Sequence, residues 1–361
     1  MNPILAFVIL IISFYSLAKI VDEIFIKSLD NISKYFNLSP SVSGATFMAA
    51  GTSAPELSTT LFALFLAGAN PATGLGTVVG SAIFQILVVI GFAAIVKTSY
   101  LNWKPVVRDG IMYSISILVL IGVIHDNKIT VYESGGMVLG YFIYLMVLII
   151  WTKKVDDMGD PDPIELVEKD LEKGEKSNKY VLILNKICFP IDMFLKRIPD
   201  VEKKKKWTIP VFIISLALIA FASYWLVIGG EAFAVGLGVP SSIVALTILA
   251  GGTSVPEMIG SAIVVKEGRG DMAISNAIGS NIFDIFMSLG LPLFIYTLIN
   301  GDMEDIDAEN VNSSVLLLFA TVVMVLLLLA SQKFRAGRLV GGILIATYVG
   351  YVIAAYAGWL G

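Results

Sequence analysis

Two glutamates define the chemistry open to this chain. Glu56 stands in GATFMAAGTSAPEL (44–57) and Glu257 in ALTILAGGTSVPEM (245–258), each midway along an apolar run. Asp284 lies inside a third such run, in GSNIFDI (279–285). A carboxylate at the centre of a bilayer costs roughly 2.5–3.5 kcal/mol on insertion scales, so three cost on the order of 7–10 kcal/mol. No Lys or Arg lies mid-span to neutralise them; Lys104, Arg108 and Arg269 fall at helix ends. A bound metal cation is the simplest countercharge, and a protonated carboxyl pair is its rival.

The neighbouring residues supply oxygen. Pro55 lacks an N–H and its ring pushes away the carbonyl of Gly51; Pro256 does the same for Gly252. Both therefore break their helices, and the carbonyls of 49–52 and 250–253 are expected to turn inward, at the negative end of a half-helix. Backbone broken at this depth is tolerated only where it is buried or lines a cavity. Thr52, Ser53, Ser81, Thr253, Ser254 and Ser280 add hydroxyls. A proline can also merely kink a membrane helix, and Ser or Thr can merely back-bond or pack. His125 lies in an outer loop and Cys188 in an inner one. Oxygen-only ligands suit Ca²⁺, Mg²⁺ or Na⁺ and argue against Zn²⁺ or Cu. One Ca²⁺ or several Na⁺ can balance the same carboxylates, and two alternative loads for one site are the physical basis of exchange.

The elements that hold these residues are membrane helices. Of 361 residues, 57% are hydrophobic and 15% charged, with mean hydropathy +0.83. Soluble domains are ~45–50% apolar and ~25% charged, so a soluble domain is excluded. Net charge −4 with dominant apolar runs excludes disorder and nucleic-acid binding, and one cysteine excludes a disulfide scaffold. Apolar runs of about 20 residues predict an all-α polytopic protein of ten helices: 3–21, 40–66, 72–96, 106–124, 130–152, 208–229, 240–265, 271–299, 312–331 and 339–359. No basic residue precedes the first run and no A-x-A site follows it, so it reads as a transmembrane helix rather than a signal peptide. With the N-terminus outside, every Lys and Arg but Lys128 falls in an inner loop. Both termini are then extracytoplasmic and 153–207 is cytoplasmic.

The two glutamate segments match at an offset of 201 residues, and GSAIFQI (80–86) matches GSNIFDI at 199. Both blocks recur in the same order in two halves, 1–152 and 208–361, of five helices each. An odd number turns the second copy over, giving an inverted-topology repeat with a site near the midplane.

GTSAPEL and GTSVPEM, each followed by a GS-x-I-F block, resemble the two alpha-repeats of the sodium/calcium exchanger family of cation/calcium antiporters. EGRGDMAISNAIGSNIFDIFMSLGLP (267–292) and FPIDMFLKRIPDVEKKKKW (189–207) are most similar to the potassium-dependent branch. The resemblance implies sodium-driven calcium export by alternating access, with the first and sixth helices sliding against the other eight. By motif match it implies Ca²⁺ ligation by Glu56 and Glu257 with the carbonyls of Thr52 and Thr253. It implies sodium sites at the carbonyls of Ala49 and Ala250 with Ser53, Ser81, Ser254 and Ser280, and Asp284 as an asymmetric third acid. At Gln85 many members carry Asn or Asp; the extra methylene moves the amide oxygen by roughly 1 Å and leaves the ion count on that side open. An Asp at the position of Asp284 accompanies potassium dependence but also occurs in potassium-independent relatives.

Within the inner loop, 180–198 is apolar with basic ends. It is expected to lie on the inner leaflet, with the basic run 203–206 anchoring the sixth helix to anionic lipid. The partners expected are therefore a bilayer and inorganic cations, in the cell membrane, with Ca²⁺, Na⁺ and in some relatives K⁺ as cargo. No cofactor, nucleic acid or obligate protein partner is expected. A calcium/proton antiporter is the alternative, but Thr52, Ser53, Thr253 and Ser254 offer oxygens that a proton does not need. A cation channel usually draws its ring of sites from several subunits, and no nucleophile–base pair or cofactor motif suggests an enzyme.

Overall fold

The computed structural model describes residues 2–65, 71–155, 189–236, 250–303 and 309–357. Helix α1 runs unbroken over Pro3–Tyr35, 33 residues, and the Asn2 side chain caps it by accepting from the Ile4 N–H at 2.9 Å. The apolar-run criterion ends this helix at residue 21 because charges begin there. The structure corrects this: Val21, Ile24, Phe25, Ile26, Leu29 and Ile32 recur at helical spacing and are buried, so the helix continues as an amphipathic one. Lys27 and Lys34 ride on it rather than in a loop.

Helix α2 consists of Pro40–Ser43, a π-helical turn Gly44–Met48 and Ala49–Thr52. After a break at Ser53 comes α3, Ala54–Phe65. Helix α4 runs through Pro71–Phe84, a π turn Gln85–Val89 and Ile90–Val96. Next are α5 (Trp103–Ile124), α6 (Val131–Val155), the short α7 (Phe189–Leu195) and α8 (Thr208–Gly236). Helix α9 (Ala250–Thr253) breaks at Ser254 into α10 (Val255–Lys266). Helix α11 spans Gly270–Asn300 with a π turn at Asp284–Leu289; α12 (Glu309–Ser331) and α13 (Arg338–Tyr356) follow. A two-residue strand β1 (Ser99–Tyr100) pairs antiparallel with β2 (Arg335–Ala336), a contact that no apolar-run pattern announces. Among the described residues, seven helices are long and apolar enough to cross a membrane, and Arg338–Ala354 is a shorter apolar one.

Two buried cores result. Helices α1 and α8 lie along each other. They share a core of Leu17, Ile20, Leu29, Val211 and Ile219 with Leu195 of α7 and Val201. The Tyr15 hydroxyl donates to Asp192 of α7 at 2.9 Å, and the Asn31 amide donates to the Val201 carbonyl at 3.0 Å, which ties the segment before α8 to α1. The second core joins α4, α5, α6, α11, α12 and α13. Outward faces such as Leu118, Phe142, Phe221, Leu327 and Ile353 stay exposed, as lipid-facing surfaces require. Residues 156–188, including Cys188 and most of the segment 180–198, and residues 240–249 of the expected seventh helix lie outside the described residues.

Helix α11 threads the centre, and every residue of 272–283 is buried. It meets α2 at glycine: a Cβ on Gly279 would stand 2.7 Å from the Ala45 Cα and 2.9 Å from the Ala45 carbonyl oxygen. Backbone cannot yield as a side chain can. Gly279→Ala should therefore cost about 1–3 kcal/mol by overpacking, read as a lower unfolding temperature in detergent. An unchanged melt would mean that α2 and α11 need not touch there.

Candidate cation-binding site

The two breaks are the same local structure made twice. Ser53 has φ −81°, ψ 7° and Ser254 has φ −89°, ψ 9°. Each break is followed by a helix carrying proline in its first turn, where a missing N–H costs nothing, and then the glutamate. Glu56 and Glu257 thus sit at the positive ends of the α3 and α10 dipoles, which favour carboxylate. The sequence points to the negative ends of the preceding half-helices; the structure adds that the positive ends of the following ones support the acids.

Each acid is met by the hydroxyl pair of the opposite motif. Ser254 Oγ lies 3.4 Å from Glu56 Oε1, and Thr253 faces the same carboxylate. Ser53 Oγ lies 3.5 Å from Glu257 Oε1, and Thr52 faces that one. Ser81 donates to Glu56 Oε1 at 3.1 Å and shares a 2.6 Å hydrogen bond with Ser254. The second oxygen, Oε2, of each glutamate is buried without a hydrogen-bond partner among the described residues, as is Ser280 Oγ. Glu56, Glu257 and Asp284 are completely buried.

Gln85 bridges the set. Its Nε2 donates to Asp284 Oδ2 at 3.1 Å and lies 3.4 and 3.5 Å from Ser81 and Ser254, while its Oε1 has no partner among the described residues. Ser288 donates to Asp284 Oδ1 at 2.9 Å, and Ser53 faces the same carboxylate. Gln85 and Asp284 each open a π turn, a distortion common at functional sites. Among the described residues no three Asp, Glu, His or Cys groups form one metal cluster, although Asp284 lies within electrostatic reach of both glutamates. Asp284 joins the glutamates through Gln85 and hydroxyls.

The backbone oxygens are less free than their prolines suggest. The Ala49 carbonyl accepts the Ser53 N–H at 3.0 Å and the Thr52 hydroxyl at 3.4 Å; the same hydroxyl also reaches the Met48 carbonyl at 3.0 Å. Thr52 therefore back-bonds here. Ala250 and Thr253 lie in α9, as Ala49 and Thr52 lie in the last turn of α2.

One buried acid escaped the sequence reading. Arg108 is not at a solvated helix end: it is 3% exposed and grips Asp109, 0% exposed, through Nε–Oδ1 at 2.7 Å and Nη2–Oδ2 at 3.0 Å. Asp109 also meets Ser275 and Tyr144. The signal available is an Arg-Asp pair entering an apolar run, which hydropathy alone places at a helix end.

The profile of the sodium/calcium exchanger protein family matches residues 5–150 and 207–357. Sodium/potassium/calcium exchanger 5 of Homo sapiens is 29% identical, covering 96% of this chain and 82% of its own length. The probable sodium/potassium/calcium exchanger CG1090 of Drosophila melanogaster is 27% identical over 98% of this chain and 79% of its own. The solved sodium-calcium exchanger NCX_Mj, soaked with 100 mM Na⁺ and 10 mM Sr²⁺, superposes with TM-score 0.66 at 24% identity over 98% of both chains. At that identity the likeness is one of fold.

Proposed function

We infer the activity from one premise, that the chain belongs to the sodium/calcium exchanger family: it is a multi-pass membrane antiporter that exchanges Na⁺ for Ca²⁺. One observation carries the reading for these residues. Two buried glutamates, each with an oxygen lacking a partner among the described residues, face each other's hydroxyl pairs across two broken helices.

The site crosses the membrane loaded. Emptied, it strands uncompensated carboxylates at a depth where each costs several kcal/mol. Ca²⁺ satisfies Glu56 and Glu257, completed by the carbonyls of Thr52 and Thr253. Na⁺ ions divide the same charge among Ser53, Ser81, Ser254, Ser280 and Asp284, with the Ala49 and Ala250 carbonyls; the Ala49 oxygen joins once it releases a present donor. Each load neutralises what the other leaves, so the ions exchange rather than leak. Equilibrium ⁴⁵Ca²⁺ binding to the purified protein tests this: Na⁺ should displace Ca²⁺ competitively, and binding indifferent to Na⁺ would contradict the shared site.

Asp284 supplies charge on the Gln85 side. Asp284→Asn keeps the shape and the contact with Ser288 but removes that charge. Sodium response should weaken while part of the calcium binding survives; a variant matching wild type in both sodium and potassium response would remove Asp284 from its role. The relatives named sodium/potassium/calcium exchangers support including K⁺ in that comparison.

The architecture proposed is ten membrane helices in two inverted halves, 1–152 and 208–361, with both termini outside. The mirrored breaks at Ser53 and Ser254 and the π turns at Gln85 and Asp284 support it. So do the loop pairings. The strands β1 and β2 join two loops assigned to the inside by charge, and a bridge between Ile129 and Met303 joins two assigned to the outside. The linker 153–207 is cytoplasmic, with α7 at the inner leaflet: Met193 and Phe194 are exposed beside Tyr15, one turn before the first charge of α1.

A further inference from the structure

On the side of the molecule where β1 meets β2, a cavity of about 650 Å³ opens between the end of α4 and the start of α13. Lys97, Arg335 and Arg338 line it, and no lining residue is acidic. The nearby acids are engaged elsewhere: Glu267 pairs with Arg269, and Asp271 accepts the Asn102 N–H at 2.9 Å. Three cations around one space repel one another unless an anion joins them.

The cavity is held in shape. Arg335 lies over the Tyr100 ring, 5.6 Å from its centre, within the β1–β2 ribbon. Lys97 Nζ donates to the Lys266 carbonyl at 3.3 Å, a contact that leaves its charge unneutralised. Gly91 of α4 and Gly341 of α13 let the two backbones touch behind the cavity, so its wall cannot spread freely. Arg338 is the first residue of α13, a 19-residue helix, whose unsatisfied N–H groups and positive dipole end favour an anion. Toward the helices the lining becomes apolar, with Ile95 38% and Leu339 65% exposed. A charged pocket at the end of a membrane helix with an apolar strip beside it has the chemistry of a phospholipid site.

We propose that this cavity binds the phosphate group of an anionic phospholipid, with Lys97, Arg335 and Arg338 on the phosphate and an acyl chain along Ile95 and Leu339. Nothing in the transport reading requires this, so the two stand or fall separately. The test is native mass spectrometry of the full-length chain released from detergent, titrated with phosphatidylglycerol or phosphatidylcholine. Wild type should retain phosphatidylglycerol preferentially. Arg335→Gln combined with Arg338→Gln should weaken that retention at least tenfold, and Lys97→Gln alone, which spares the Arg335–Tyr100 contact, by a smaller factor. Lys203→Gln, Lys204→Gln, Lys205→Gln and Lys206→Gln combined should leave this binding event in place, separating it from charge attraction at the linker. Millimolar inorganic phosphate should fail to displace the lipid; displacement would make the ligand a free phosphate and overturn the lipid source. Equal retention by wild type and the Arg335/Arg338 variant, or retention lost only with the linker lysines, would overturn the site.

Discussion

Glu56→Gln and Glu257→Gln each abolish calcium transport while the chain keeps its fold. The substitution preserves volume and one carbonyl oxygen but removes a charge that, in this site, only a cation neutralises. Breaking a buried ion pair by removing one partner costs about 3–5 kcal/mol, which corresponds to roughly two to three and a half decades in affinity. The two variants should behave alike, because Ser53 and Thr52 stand to Glu257 as Ser254 and Thr253 stand to Glu56. Folding should survive, since a neutral amide is cheaper to bury than an unpaired carboxylate. The check is sodium-driven calcium flux together with an unfolding curve. Flux retained by either variant, in protein with a normal melt, would remove that residue from the cation path.

Arg108→Ala should unfold the chain rather than silence it. Arg108 and Asp109 are both buried and joined by two charge-assisted hydrogen bonds. Removing the guanidinium leaves Asp109 unpaired against Ser275 and Tyr144, at a cost of about 3–5 kcal/mol. Replacing both, Arg108→Met with Asp109→Leu, should recover most of the loss, because the pair's desolvation penalty disappears with its attraction. Thermal unfolding of the single and double variants in detergent separates the cases. A double variant no more stable than the single one would show that the pair does more than neutralise itself.

The candidate site was legible in the sequence because its residues are costly where they lie. Glu56, Glu257 and Asp284 have no packing use in apolar helices, and Pro55 and Pro256 mark breaks that appear at Ser53 and Ser254. What sequence could not give was partnership. That Gln85 donates to Asp284, across 199 residues, depends on how α4 and α11 cross. The Ala49 carbonyl was expected to be free, but it is engaged by the Ser53 N–H because the half-helix closes one more hydrogen bond before breaking. Arg108 was misplaced for a simpler reason: hydropathy treats a charge as the end of a helix, whereas an adjacent acid can carry that charge inside. The same bias shortened α1, whose second half is buried by periodicity rather than by an unbroken apolar run. The β1–β2 ribbon is too short for any alternation to announce it.

One buried site that takes Na⁺ and Ca²⁺ in turn has a direct signature in transport. It is tested most directly by ⁴⁵Ca²⁺ uptake into Na⁺-loaded proteoliposomes diluted into Na⁺-free buffer, with K⁺ present or absent, beside vesicles carrying only a pH gradient. Uptake should require the outward Na⁺ gradient and vanish in Glu56→Gln and Glu257→Gln, with the K⁺ comparison placing the chain within its family. Uptake driven by the pH gradient alone would contradict it: the glutamates would then trade Ca²⁺ for protons, and the sodium roles of Ser53, Ser81, Ser254 and Ser280 would fall.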